Sequence, residues 1–309
     1  MSSMLLTAGT FNVPLLPLVP FRHVVEQMHP IDLVLLMLTS ERMRTRLQSL
    51  KQLKFNVLEI KVRSSGFSIS FPSENYPVFK WNVTTKDIDQ TDVHLHCREP
   101  LGPITIGGTV LQENWKINAA DKIYTVVKGK AQQMKVLKVI AESLKKMFRC
   151  TITDLFLNLD VLSNQKAFFK WRLVREGNRL SLEGGTNEQR IHALDSVRLN
   201  EFLYMDAGFE NGYQHEKMWT VEKLFILSKE TPVNKTIMKR NACFTGISSR
   251  MDVNLEDLTE YIQQWRDGGY DKMELFSLSF QGVEFIHRQL LEAFPWSKFE
   301  NGTASFWPG

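Results

Sequence analysis

Hydrophobic and polar positions divide the chain into three stretches with different rhythms. From Leu16 to Leu47 (LPLVPFRHVVEQMHPIDLVLLMLTSERMRTRL) apolar residues dominate, and prolines and a serine punctuate them. The breaks predict three short helices, Pro20 to Met28, Ile31 to Leu38 and Ser40 to Leu50, with Pro20 in a first turn and Ser40 as an N-cap ahead of Glu41. The middle helix is apolar on every side, through Leu33, Val34, Leu35, Leu36, Met37 and Leu38. Such a helix must be covered all round. A unit of three short helices cannot enclose one of its own members, so either the rest of the chain or a partner protein covers it.

From Phe55 to Val127 the rhythm changes to short β-prone runs, at 56–62, 67–71, 78–83, 93–97, 104–106, 115–117 and 123–127. Turn residues such as Ser64-Ser65-Gly66, Glu99-Pro100 and Gly107-Gly108 separate them, which predicts an irregular antiparallel meander. From Gln132 onward helices and strands alternate. Leu137, Ile140, Leu144 and Met147 recur at helical spacing, and strands are predicted at 152–159, 179–182, 201–205, 244–248 and 273–280. Helices are predicted at 188–198, 255–267 and 285–294. The strand starts fall in the spacing range of α/β solenoid units, although no consensus repeats, so the arrangement expected is leucine-rich-repeat-like. The fold class is α+β, with a three-helix unit at 11–52, an antiparallel β-rich segment at 53–129 and an alternating α/β region at 130–309.

Two stretches resemble a known family. Leu16-Pro17, a short helix ending in Met28, Pro30-Ile31-Asp32-Leu33, an apolar turn, then Leu38-Thr39-Ser40 and Arg42 resemble the F-box of the large nematode F-box families. Near the other end, LEDLTEYIQQW from Leu255 to Trp265, followed by Gly268-Gly269 and Met273-Glu274-Leu275, resembles the end of the type-two F-box-associated domain of the same proteins. Pro20, Glu41 and the sequence Trp219–Leu224, where the family carries an Asn-Cys pair, depart from its pattern.

The resemblance implies a non-catalytic substrate-recognition subunit of a Skp-cullin-F-box ubiquitin ligase. It implies that Leu16, Pro17, Val24, Val25, Met28, Pro30, Ile31, Leu33, Leu36 and Leu38 dock on the Skp adaptor, and through it on a cullin. The C-terminal half would hold a target protein.

Composition changes this picture little. The chain has 309 residues, 43% hydrophobic and 23% charged, and a formal net charge of +4, which favours neither nucleic acid nor a membrane surface. Cys97, Cys150 and Cys243 are odd in number and far apart, which predicts a reducing compartment, cytoplasmic or nuclear, rather than a disulfide framework. Prolines at 14, 17 and 20 interrupt the opening apolar stretch, and no basic residue precedes Arg22, so neither a leader nor an anchor is expected there.

Candidate chemistry is sparse. His94, His96 and Cys97 (HLHC) carry two imidazoles on one face of a predicted strand, but no second ligand pair follows at zinc spacing. There is no Gly-x-Ser-x-Gly elbow, phosphate loop or His-Glu-x-x-His, and no cofactor is expected; Gly107-Gly108 and Gly184-Gly185 read as turns. Between Lys128 and Arg149 seven basic residues stand against one acid, Glu142. A nucleic-acid track and a non-ligase interaction scaffold are therefore the alternatives, but no aromatic platform accompanies these charges, and a solvated helix face accounts for them.

Overall fold

In the computed structural model the described residues are 16–28, 30–50, 55–72, 79–85, 98–117, 122–207, 209 and 215–227, with 233–234, 243–248, 251–252, 256, 259–260, 263–264, 276–280, 297–298 and 304–305 beyond these. The chain forms two compact units, one of Met1–Ile60 and Ser65–Ile152, the other of Lys61–Ser64 and Thr153–Gly309.

The first unit opens with helices α1 (Leu18–Gln27), α2 (Pro30–Thr39) and α3 (Glu41–Ser49). Pro30 starts α2, where its missing N–H costs nothing. The Ser40 side chain accepts from the Met43 N–H at 3.1 Å and so caps α3. Helix α1 begins two residues before Pro20, because Pro17 supplies the extended N-cap and Pro20 still falls in the first turn.

Next come β1 (Val57–Arg63), β2 (Gly66–Phe71), β3 (Phe79–Thr84), β4 (Arg98–Pro100), β5 (Ile104–Ile106), β6 (Thr109–Leu111), β7 (Glu113–Ile117) and β8 (Lys122–Val126). The order is β1-β2-β3-β8-β7-β4, with β5 and β6 paired separately; of β1 only Val57–Ile60 belong to this unit. The expected antiparallel meander is corrected here: β2–β3, β7–β8 and β4–β7 are antiparallel, but β3 and β8 run parallel. A parallel neighbour needs a long crossover, and the chain between Thr84 and Lys122 is long enough. Hydrophobic alternation fixes which face of a strand is buried, not which way its neighbour runs.

Helix α4 (Lys130–Phe148) completes the unit. Its buried stripe of Val136, Leu137, Ile140, Ala141, Leu144, Met147 and Phe148 packs on β2 and β3, so the helix belongs with the strands before it and the boundary falls at 152/153 rather than 129/130. Phe71 stacks on Phe55 with centroids 4.6 Å apart and meets Phe148 edge-on at 4.9 Å. A chain of polar side chains in this core is paired, while Asn82 Nδ2 on β3 is buried with no hydrogen-bond partner among the described residues. Trp81 Nε1 donates to Thr125 Oγ1 at 2.9 Å, Thr125 donates to Asn114 Oδ1 at 2.7 Å, and Asn114 Nδ2 donates to the Leu111 and Gly102 carbonyls.

The second unit is a succession of parallel strands. Strands β9 (Ile152–Asn158), β10 (Arg179–Glu183), β11 (Phe202–Met205) and β12 (Lys223–Leu227), then Cys243–Ser248 and Phe276–Phe280, pair in chain order. They are in register. Leu155, Leu180, Leu203 and Leu224 form one buried row, and Leu157, Leu182, Met205 and Ile226 the next. Between them lie helices α5 (Gln165–Phe169), α6 (Arg172–Arg175), α7 (Asn187–Ser196) and α8 (Lys217–Thr220). Strands added one after another in a single direction, with connections of one hand, carry those helices on one face.

Gly177 marks how close that approach is: a Cβ there would sit 2.6 Å from Leu155 Cδ1. The turn read at Gly184-Gly185 is present, with φ of +62° and +77°. Of the later expectations, residues 256, 259–260 and 263–264 are helical and 276–280 form a strand; the helix at 285–294 lies outside the described residues.

Candidate functional site

The ten residues singled out at the start of the chain separate into two sets. Val25, Ile31 and Leu33 are buried within their own unit, together with Phe21, Val34, Met37, Met43 and Leu47. Pro17 is exposed, Leu16, Val24, Met28, Leu36 and Leu38 are half-buried, and only the backbone of Pro30 is described. Two further apolar residues stand out in solvent at the start of α1: Leu18 is 58% and Val19 66% exposed. They continue the Leu16-Pro17 corner. Sequence reading passed over them because a helix beginning at Pro20 leaves them in the lead-in.

Several contacts hold this corner in place. The Arg46 guanidinium covers the Phe21 ring at 4.1 Å and donates to the Leu16 carbonyl, so α3 carries the start of α1. Gln48 Nε2 donates to the Met147 carbonyl at 2.8 Å, and Lys116 Nζ meets Asp32 Oδ1 at 2.6 Å, tying α3 to α4 and α2 to β7. Asp32 is 41% and Lys116 16% exposed at the side chain, so screening keeps this pair at about 1 kcal/mol or less. The apolar middle helix is thus covered on one side by the chain itself.

The other candidates add little chemistry. His94, His96 and Cys97 lie outside the described residues. Among the described residues no cluster of His, Cys, Asp or Glu is placed to hold a metal ion, and no helix is long and apolar enough to cross a membrane. Burial pushes the Cys150 thiol up to about 12, which suppresses its thiolate. The basic residues of α4 stand on its exposed side, where Lys138 meets Glu142 at 4.0 Å.

A His-carboxylate pair that sequence spacing does not reveal joins Asp195 to His215, with Nε2 3.0 Å from Oδ1. His215 Nδ1 accepts the Lys217 N–H at 3.2 Å, so Nε2 carries the proton and donates to Asp195. Lys217 Nζ donates to the Leu194 and Val197 carbonyls, and burial lowers its pKa against the opposing pull of Asp195 and Glu216. The group closes the C-terminal end of α7, where cations and donors satisfy the last carbonyls.

Compared with protein-family models, curated proteins and solved structures, the chain matches none of them.

Proposed function

We propose that this chain is the substrate-recognition subunit of a Skp-cullin-F-box type ubiquitin ligase, acting in the cytoplasm or nucleus. Its opening helices dock on the Skp adaptor and its second unit, read as a leucine-rich-repeat-like solenoid of the F-box-associated kind, holds a target protein. The observation that carries this reading is the apolar corner at the start of α1, where Pro17, Leu18 and Val19 are exposed beside the half-buried Leu16, on helices whose opposite sides are anchored. An exposed apolar patch held by built contacts has the character of an interface.

The mechanism is positional. Docking through the opening helices and target capture through the second unit raise the concentration of a target lysine near the ubiquitin-charged enzyme that the cullin brings. No covalent step is assigned to this chain. Val25, Ile31 and Leu33 act from within, as the packing that fixes the exposed corner, and the adaptor contact falls to Leu16, Pro17, Leu18, Val19, Val24, Met28, Leu36 and Leu38.

Co-expression with a Skp adaptor followed by gel filtration tests the reading. The full chain is expected to co-elute with the adaptor. The double substitution Leu18→Asp with Val19→Asp is expected to lose co-elution with its urea midpoint unchanged, because both side chains are in water until the partner arrives. Co-elution that survives the double substitution contradicts the assigned face.

A further inference from the structure

Helix α4 gives one side to the core of the first unit and leaves the other to water. On that outer side Lys128, Lys130, Lys135, Lys138, Lys146 and Arg149 are exposed; Lys145 is half-buried. At about 1.5 Å per residue, the 19 residues of the helix carry this basic stripe over roughly 28 Å. Its single acid, Glu142, meets Lys138 at 4.0 Å with both side chains half in water, so one screened carboxylate leaves most of the positive charge in place. The elements packed on α4 do not offset it. Helix α3 brings Arg42, Arg44 and Arg46 against Glu41, which Arg44 meets at 3.3 Å; β3 brings Lys80; β2 and β5 carry no charge. Asp32 of α2 is held by Lys116, and Glu113 stands at the foot of the β5–β6 hairpin.

Charge of this kind differs from that of an ordinary solvated face. Seven bases against one acid exceed the +4 of the whole chain, so the rest of the sequence is net acidic and the positive charge is gathered here. The layout also works against the helix. Lys128 and Lys130 face the positive end of its dipole, the first turn has no acid, and Lys135 and Lys138 repel each other one turn apart.

An apolar step lies beside the stripe. The β5–β6 hairpin packs on α4 with Gly107 against it, where a Cβ would lie 3.1 Å from Val139 Cγ1 and 3.0 Å from Ser143 Oγ. Lys135 and Lys146 stand one turn before and one turn after that contact. On the outward side of the hairpin Val110, in register with Thr105, is 50% exposed.

We propose that this face binds an acidic polypeptide segment in extended form, with carboxylates along the α4 lysines and one aliphatic side chain on Val110. The site goes beyond the ligase reading and stands apart from the adaptor-docking residues. Lysines are point charges that attract carboxylate and phosphate alike, so the rest of the face decides the class of partner. Val110 offers a seat to an apolar side chain, whereas the one aromatic ring of α4, Phe148, is buried and stacks no base. A membrane surface would need the apolar stripe of α4, and β2 and β3 occupy it.

Fluorescence anisotropy of the full chain at physiological salt, with labelled peptides of about 12 residues that span the stripe when extended, tests this. The probes are a Glu/Asp peptide with one central Leu, the same peptide with Ser in place of Leu, and a Ser/Gln peptide with Leu. A DNA duplex of similar length and vesicles of phosphatidylcholine with phosphatidylserine are compared with them. The acidic Leu peptide is expected to bind about tenfold more tightly than the Ser/Gln peptide, the duplex or the vesicles. Lys135→Glu with Lys138→Glu is expected to remove that margin at an unchanged urea midpoint, because both side chains are in water. The neutral pair Lys135→Gln with Lys138→Gln is expected to lose a smaller part of it, which separates charge from folding. Val110→Ser is expected to erase the advantage of Leu over Ser and to leave the preference for acid. Equal binding of acidic and neutral peptides, a margin that survives both lysine pairs, a Leu advantage untouched by Val110→Ser, or tighter binding of the duplex or the vesicles overturns the inference.

Discussion

Single residues in this chain are set mainly by what covers them. Cys150 sits at the end of α4 beside the Lys145 charge, yet burial outweighs that charge and lifts its pKa from 9.0 to about 12. At pH 8 a shift of that size cuts the thiolate by about a thousandfold. Alkylation of Cys150 by iodoacetamide, followed by peptide mass spectrometry, is therefore expected to be about a thousandfold slower in the native protein than in urea. The same shift has a sign for stability. The folded state holds the proton where the unfolded state has released it, so the contribution is intact below pH 9 and is lost as pH climbs from 9 towards 12. Equal alkylation rates in the folded and unfolded protein contradict the burial. Gly184 shows cover acting on backbone: φ is +62°, and a Cβ would lie 2.1 Å from Asp160 Oδ2, so no other residue fits there without displacing the Asp160 side chain.

At the scale of elements, sequence pattern and structure agree wherever periodicity alone decides. Helix α4 was legible in Leu137, Ile140, Leu144 and Met147, and β9 to β11 in short apolar runs. What periodicity does not carry is partnership. The parallel pairing of β3 with β8 is set by a crossover; Glu99-Pro100, read as a turn, lies in β4 paired with β7, and β6 and β12 escaped notice because one is too short and the other was read for a family motif. The candidate docking residues were half legible in the same way. Ile31 and Leu33 are as apolar as Leu36 and Leu38, and only packing tells the inward pair from the half-exposed one. The caps are simpler. Ser40→Ala removes the acceptor of the Met43 N–H and is expected to cost about 1 kcal/mol in urea unfolding. An unchanged midpoint contradicts a capping role.

At the scale of the molecule, the opening helices form part of the first unit rather than a detachable module. Met43 and Leu47 are buried, Gln48 reaches α4 and Asp32 reaches β7. Removal of residues 1–50 is expected to lower the urea midpoint of this unit, followed through the fluorescence of buried Trp81, because apolar side chains beneath the helices lose their cover. A midpoint equal to that of the full chain contradicts this integration. The central claim is that these helices are two-sided, anchored within and open to a partner without. Hydrogen–deuterium exchange of the full chain with and without purified Skp adaptor addresses it directly. The account predicts that amides at 16–28 and 35–39 gain protection on addition of adaptor while those of β9–β12 do not; no gain there, or a gain confined to the second unit, contradicts it.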